Sequence, residues 1–463
     1  MAPKFGTSGL RGLVVELTPN LIADYTRAFL AACPTGGAVH VGWDLRPSSP
    51  DIAAVVMATA RAEGIVVKTA GALPTPALAL AAMDSGHAAI MITGSHIPAD
   101  RNGLKFYIPS GEISKADEEG INANLGRAPA TAEEAAQEET PGALSAYAAR
   151  YVEAFGETVL SGLKIGIYQH SSVARDVMVE VVDALGAETV ALKRSDVFIP
   201  VDTEALDPET RSMLANWCAE NGLDAVISTD GDADRPMVSD AKGRVVPGDV
   251  LGALTARWLE ADVICTPVSS NTLVMEMGFE KVVSTKIGSP FVIAAMEAAL
   301  ADAPAARVAG YEANGGFLLG FKANGPAGKL EPLMTRDCLL PILAPLAAAK
   351  AAEMPLADLV ATLPPRFTAA DRIAGIETDI SKAFIAKLTD DAGARAAFFA
   401  DMGAEDTVDT IDGLRTRFES GDVVHLRPSG NAPEFRCYAE SAHAERAEEL
   451  VTAYLEKLGR ELG

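Results

Sequence analysis

Apolar and polar positions fall in blocks along this chain, and the blocks repeat in one order. Ala38 to Trp43 is an apolar run closed by a turn at Asp44, and Pro50 to Glu63 has apolar residues at helical spacing up to Gly64. That pattern predicts a strand and then a helix. A second strand is expected at Ile65 to Thr69, followed by the Pro74-Thr75-Pro76 turn and an Ala/Leu helix. A third, Ala88 to Thr93, enters a polar loop. Strands alternating with helices in this way predict a mostly parallel α/β sheet. The stretch Arg127 to Pro141, rich in Ala, Glu and Thr with prolines near both ends, reads as a surface linker or irregular connection.

The same order restarts with a strand at Lys164 to Tyr168, a helix at Val173 to Leu185, a strand at Glu188 to Leu192 and another at Asp224 to Thr229 that ends in an acidic loop. A third round begins at Gly248, with strands at Val263 to Thr266, Lys281 to Ser284 and Arg307 to Gly310 and a helix at Phe291 to Leu300. Its polar loop is YEANGG. After Pro364-Pro365 the pattern changes to strands at Leu414 to Phe418, Val423 to Leu426 and Glu434 to Tyr438 and a helix at Ala442 to Leu462. The expected fold is therefore three topologically similar α/β domains and a smaller C-terminal α+β domain, divided at 1–142, 143–246, 247–365 and 366–463. Chemistry is expected in the loops at the strand ends.

Composition narrows the function classes. Hydrophobic residues at 49% and charged residues at 22% are ordinary globular values, so each domain can bury a core. Asp and Glu number 63 against 39 Lys and Arg, a net charge of −24 that argues against nucleic acid as a partner. The longest apolar stretch, Cys338 to Ala349, contains Pro341 and Pro345 and stops at Lys350, so no membrane span is expected. Five scattered cysteines without a CxxC pair, and an N-terminus lacking an apolar signal region, point to the cytoplasm.

Four loops carry candidate chemistry. TGSHIPADRNGLKFY follows the third strand and presents Ser95 after a glycine and before His96, with Lys105 ten residues on. A serine so placed can meet an incoming phosphate while backbone N–H groups hold the anion. TDGDADRP sets Asp230, Asp232 and Asp234 at the mouth of a sheet beside Arg235. Three carboxylates at that spacing repel one another unless a hard divalent cation lies between them. An EF-hand is excluded, because Arg235 and Ala241 stand where glycine and glutamate are required. HLRPSGNAPEFR offers Arg427, Ser429, Gly430, Asn431 and Arg436, the donors a phosphate dianion needs. In GYEANGGF, Glu312 and Asn314 are placed to bond sugar hydroxyls, and FGTSGLRG adds Thr7, Ser8 and Arg11. Each loop taken alone is also readable as a solvated surface turn.

Together, in the chain order serine loop, acidic loop, sugar loop and phosphate loop, the loops resemble those of the α-D-phosphohexomutase superfamily, of the phosphomannomutase/phosphoglucomutase type, from Phe5 to Arg436. The resemblance implies four domains around a central cleft and an isomerase that interconverts hexose 1-phosphate and hexose 6-phosphate. It makes Ser95 a phosphoserine, primed by hexose 1,6-bisphosphate, and makes Asp230, Asp232 and Asp234 the ligands of Mg2+ with a Ser95 phosphoryl oxygen as the fourth. Arg235 would neighbour that phosphoryl group and His96 would join the catalytic set, while Arg11 and Lys105 match basic positions proposed for proton transfer. Lys286 lies in the loop that helps distinguish sugar orientation. Glu312 and Asn314 would read the sugar, and Arg427, Ser429, Gly430, Asn431 and Arg436 would hold the phosphate that is not reacting. The implied partner is a phosphorylated hexose, with the protein a monomer or dimer.

Three departures from the usual pattern stand out: Asn314 and Gly316 replace the serine and histidine of the sugar loop, Asn431 and Ala432 replace threonine and glutamate, and Ile97 replaces asparagine. Phosphoglucosamine mutases usually read GEQSGH in the sugar loop, so mannose and glucose phosphates are the expected substrates and glucosamine phosphate the runner-up. A serine-dependent metallohydrolase needs histidine ligands that the acidic loop lacks. A non-catalytic sugar-phosphate sensor has no use for Ser95 and three aspartates together.

Overall fold

The structure, a computed structural model, describes residues 3–6, 8–428 and 434–462. Three sheets share one design. In the first, Ala38–Trp43 lies between Val66–Ala72 and Ala88–Ile92, all parallel, and Ala88–Ile92 pairs antiparallel with Arg101–Ile108. In the second, Lys164–His170 lies between Glu188–Arg194 and Ala225–Thr229, and the last pairs antiparallel with Pro236–Ser239. In the third, Val263–Pro267 lies between Lys281–Thr285 and Val308–Tyr311, which pairs antiparallel with Phe317–Leu319. The serine, acidic and sugar loops each join the third parallel strand to its antiparallel neighbour, so the three α/β units are one plan used three times.

The strands Ala88–Ile92 and Ala225–Thr229 are buried along their whole length, the first a continuous apolar run and the second apolar up to Ile227 before the buried Ser228 and Thr229, as strands covered on both faces are. One apolar cluster runs through the first three sheets, with Leu78, Tyr147, Ile165, Ile227, Tyr311 and Leu343 among its members. It locks the three loops into one frame. The fourth sheet is antiparallel, has five strands and packs against the helix Ala444–Leu462 around a separate core that includes Phe399, Phe418, Phe435 and Tyr454. Polar contacts reach it from the third domain: Thr272 N–H donates to Glu440 at 3.1 Å and Ile287 N–H to Asp412 at 2.9 Å.

Two local readings change. Within the expected linker, Gln137–Glu139 forms a parallel edge strand against Val66–Ala72. All three of its residues are exposed, so it leaves no apolar alternation and is set by backbone pairing. Thr75, expected in a turn, is the first residue of the helix Thr75–Asp84 and is buried. The apolar stretch with its prolines is the helix Leu339–Ala351, almost wholly buried despite Pro345 inside it. Asp337 holds its first turn, accepting from Leu339 N–H at 3.2 Å and Leu340 N–H at 3.1 Å. No helix among the described residues is long and apolar enough to cross a membrane, and all five cysteines are buried and free.

Candidate functional site

Ser95 has φ +56°, the left-handed region that non-glycine residues rarely occupy. The loop is forced into this shape from outside. Arg46 is buried beneath it and donates to the carbonyls of Ser95 at 2.7 Å, Ile97 at 2.6 Å and Pro98 at 2.7 Å. Asp44, also buried, pairs with Arg46 at 3.0 Å and accepts from the Thr93 and Ser49 hydroxyls. A Cβ on Gly94 would lie 2.6 Å from the Arg46 guanidinium, so only glycine fits there. With four backbone carbonyls and a carboxylate taking its donors, Arg46 makes this turn a rigid mount.

The Ser95 hydroxyl donates to Asp230 Oδ2 at 2.6 Å. Asp232 Oδ2 accepts from the Thr75 hydroxyl and from Lys105 Nζ, both at 2.6 Å, and Asp234 Oδ2 accepts from Lys105 Nζ at 2.5 Å and Arg336 Nη2 at 2.6 Å. All three aspartates are buried, and one oxygen from each lies within 4.8 Å of the others. Asp232 Oδ1 and Asp234 Oδ1 have no hydrogen-bond partner among the described residues. Leaving buried carboxylate oxygens unpaired is costly, and a hard divalent cation removes that cost. The donor set therefore fits such an ion.

The electrostatics are those of an acidic cluster hemmed in by cations. Burial, reinforced by Asp232 and Asp234, pushes Asp230 well above the usual carboxylate range. Burial pushes Asp232 and Asp234 the same way, but Lys105 beside the first and Arg336 beside the second outweigh it and hold both below that range. Arg235 Nε lies 3.9 Å from Asp230 and Asp234, and Arg11 donates to the Thr93 carbonyl at the base of the serine loop. His96 Nδ1 is 3.4 Å from Ser95 Oγ, and burial with the Arg235 charge draws the ring down to about 3.

In the sugar loop, Glu312 Oε2 accepts from Arg336 Nη1 at 2.8 Å, and Asn314 Oδ1 accepts from Gly316 N–H at 2.9 Å, shaping its own turn. A second group of candidates lies apart. Arg427 Nε donates to Asp412 Oδ1 at 2.9 Å, and Asp412 Oδ2 takes the N–H of Ile287, next to Lys286, so one carboxylate ties the Lys286 turn to the phosphate loop. Lys286 is exposed, 5.8 Å from the Phe291 ring. Arg436 faces Arg427 across the strand pair, and its Nε is buried without a partner. Like charges opposed in this way repel, and each has a carboxylate beside it, Asp412 for Arg427 and Glu434, 3.6 Å from Nη2, for Arg436. Among the described residues no hydrogen bond or ion pair links Arg427, Arg436 or Lys286 to the serine or acidic loops. Ser429, Gly430 and Asn431 lie outside the described residues, as does Thr7.

Sequence reading missed Asp44, Arg46, Thr75, Arg336 and Asp412. Their only local signals are the short Asp-x-Arg after a strand and the Pro-Thr-Pro turn.

Four family models match consecutive parts of the chain: phosphoglucomutase/phosphomannomutase α/β/α domain I over residues 2–131, domain II over 148–243, domain III over 247–367 and the C-terminal domain over 376–457. A phosphomannomutase of Sinorhizobium fredii is 46% identical, covering 97% of this chain and 98% of its own. One of Salmonella muenchen is 40% identical, with 99% and 96% covered. A phosphoglucomutase/phosphomannomutase family protein of Burkholderia thailandensis shares the fold, with a TM-score of 0.78 at 21% identity over 98% of this chain and 96% of that one.

Proposed function

The chain belongs to the phosphoglucomutase/phosphomannomutase family, and from that premise we propose that Ser95 carries the phosphoryl group between the two ends of a bound hexose phosphate. It is an isomerase of the phosphomannomutase type, interconverting hexose 1-phosphate and hexose 6-phosphate. The observation that carries the role of Ser95 is its hydroxyl, 2.6 Å from Asp230 in a buried acidic cluster with two unpaired carboxylate oxygens. Phosphorylated Ser95 gives its phosphoryl group to the 6-hydroxyl of a hexose 1-phosphate, leaving a free serine and a hexose 1,6-bisphosphate. After the sugar turns half round, the serine takes the phosphoryl group from C1 and hexose 6-phosphate departs. Asp230, Asp232 and Asp234 are the residues to hold Mg2+, which neutralises charge on the phosphoryl oxygens. Arg11, Lys105, Arg235 and His96 complete the catalytic set, the three cations balancing charge around Ser95.

Glu312 and Asn314 read the sugar, and Lys286 lies on its orientation loop. Arg427 and Arg436, with Ser429, Gly430 and Asn431, hold the far phosphate at either end of the substrate. Arg427→Ala should therefore raise KM for hexose 1-phosphate and hexose 6-phosphate alike by about one to two orders of magnitude, taking roughly 1.5–3 kcal/mol for a hydrogen bond to a charged group. An unchanged KM for both would remove Arg427 from the site.

Glucose and mannose differ only at the 2-hydroxyl, and a loop that must accept two flipped orientations reads the 3- and 4-hydroxyls they share. Discrimination between them should stay within roughly tenfold, about 1.4 kcal/mol. The test competes mannose, glucose and glucosamine 1-phosphates and measures each 6-phosphate together with free phosphate. Strong preference for glucosamine phosphate, or release of phosphate without isomer, would overturn this reading.

A further inference from the structure

Gly316 has a neighbour that explains why no side chain stands there. A Cβ at this position would lie 2.7 Å from Arg336 Cδ, 2.9 Å from its Cγ and 2.9 Å from the Asp234 carbonyl oxygen. The Arg336 stem occupies the space over the glycine. Its guanidinium, buried at 4% exposure, reaches Glu312 at 2.8 Å through Nη1 and Asp234 at 2.6 Å through Nη2. Among the described residues Arg336 is the one partner of the Glu312 carboxylate, which leaves Oε1 for a ligand.

Resting on the roles proposed above for Glu312 and the acidic triad, we infer that Arg336 is a positioning residue that couples the sugar loop to the metal loop. It acts by one fork. Nη1 fixes Glu312 as a charged acceptor aimed at the sugar, and Nη2 occupies Asp234 Oδ2, leaving Asp234 Oδ1 as the unpaired oxygen. The same positive charge lies beside the cation site and weakens binding of a divalent ion there. Without the guanidinium, Glu312 loses its ion-pair partner among the described residues, whereas Asp234 loses one cation and keeps Lys105 and Arg235. Glu312 then loses the group that aims it, while the acidic triad, with one cation fewer beside it, attracts a divalent ion more strongly. The two sites must respond in opposite directions, which general damage to the fold does not produce.

The test uses the full-length, dephosphorylated protein, with Mn2+ binding followed by electron paramagnetic resonance and mannose 1-phosphate binding followed by calorimetry without metal. Arg336→Gln should tighten Mn2+ at least about threefold and weaken mannose 1-phosphate about tenfold. Arg336→Lys, which returns the charge without the fork, should bring Mn2+ affinity back toward wild type and leave most of the sugar-phosphate loss. Glu312→Gln provides a second approach: it should also weaken mannose 1-phosphate, but with weaker Mn2+ binding, because Arg336 loses a counter-charge. Weakening of both ligands in Arg336→Gln, or unchanged mannose 1-phosphate binding, overturns the inference. So does an Mn2+ shift of the same sign in Arg336→Gln and Glu312→Gln. Wild-type protein that binds no Mn2+ overturns instead the assignment of the triad, and the coupling with it.

Discussion

Ser95→Ala lowers mutase turnover by about four orders of magnitude or more, the scale of loss when a covalent carrier is deleted from a site that keeps its binding groups. The substitution removes the one hydroxyl that lies 2.6 Å from Asp230, and within the loop it gives up only the 3.4 Å approach to His96 Nδ1. Arg46 still holds the carbonyls of residues 95, 97 and 98, and the Ser95 backbone N–H still bonds the Thr93 hydroxyl. Substrate affinity should change little, because the arginines of the phosphate loop stand on the fourth sheet. After incubation with a hexose 1,6-bisphosphate, intact-mass measurement and peptide mapping should find one phosphoryl group on Ser95 of the wild type and none on the variant. Label at another residue, or wild-type turnover in Ser95→Ala, would show that the serine loop has a different task.

Asp232→Asn should cost about two to three orders of magnitude in turnover, comparable to removing one group that stabilises transition-state charge. Asp232 Oδ2 is engaged by Thr75 and Lys105, whereas Oδ1 is buried and unpaired. An amide puts N–H donors on one side of that group, either against the cations or toward the ion site, and it removes one negative charge from the triad. The backbone bond from Thr75 N–H to the Asp232 carbonyl, 2.9 Å, does not depend on the side chain, so the loop should hold its place. Mn2+ affinity should fall at least about tenfold while the melting temperature in metal-free buffer changes little. Turnover at the wild-type level in limiting magnesium would mean that this carboxylate is structural.

How much of this was readable beforehand depends on whether the information is local. The strand and helix blocks carry it in contiguous residues: Ala88–Ile92 and the first three residues of Ala225–Thr229 are apolar runs because both faces are covered. Ser95, the three aspartates and Glu312 are concentrated in short loops after such strands, and their chemistry is legible from spacing and residue type. Gln137–Glu139 was not, since an exposed edge strand needs only a backbone partner and leaves no pattern in its side chains.

The residues that complete the site are of another kind. Arg46 resembles any surface arginine until its carbonyl partners arrive from about fifty positions away, and Thr75 meets Asp232 across 157 positions. Arg336 lies in the strand Leu333–Asp337 just before an apolar helix, with nothing nearby to say that its guanidinium joins Asp234, 102 residues earlier, to Glu312. A buried charge is stable only through the partners that surround it, and those partners are brought together by packing between domains. Chain order and residue chemistry thus specified the four loops and the repeated α/β plan. Tertiary packing decided which distant cations and hydroxyls hold them, because burial and pairing are properties of neighbours in space.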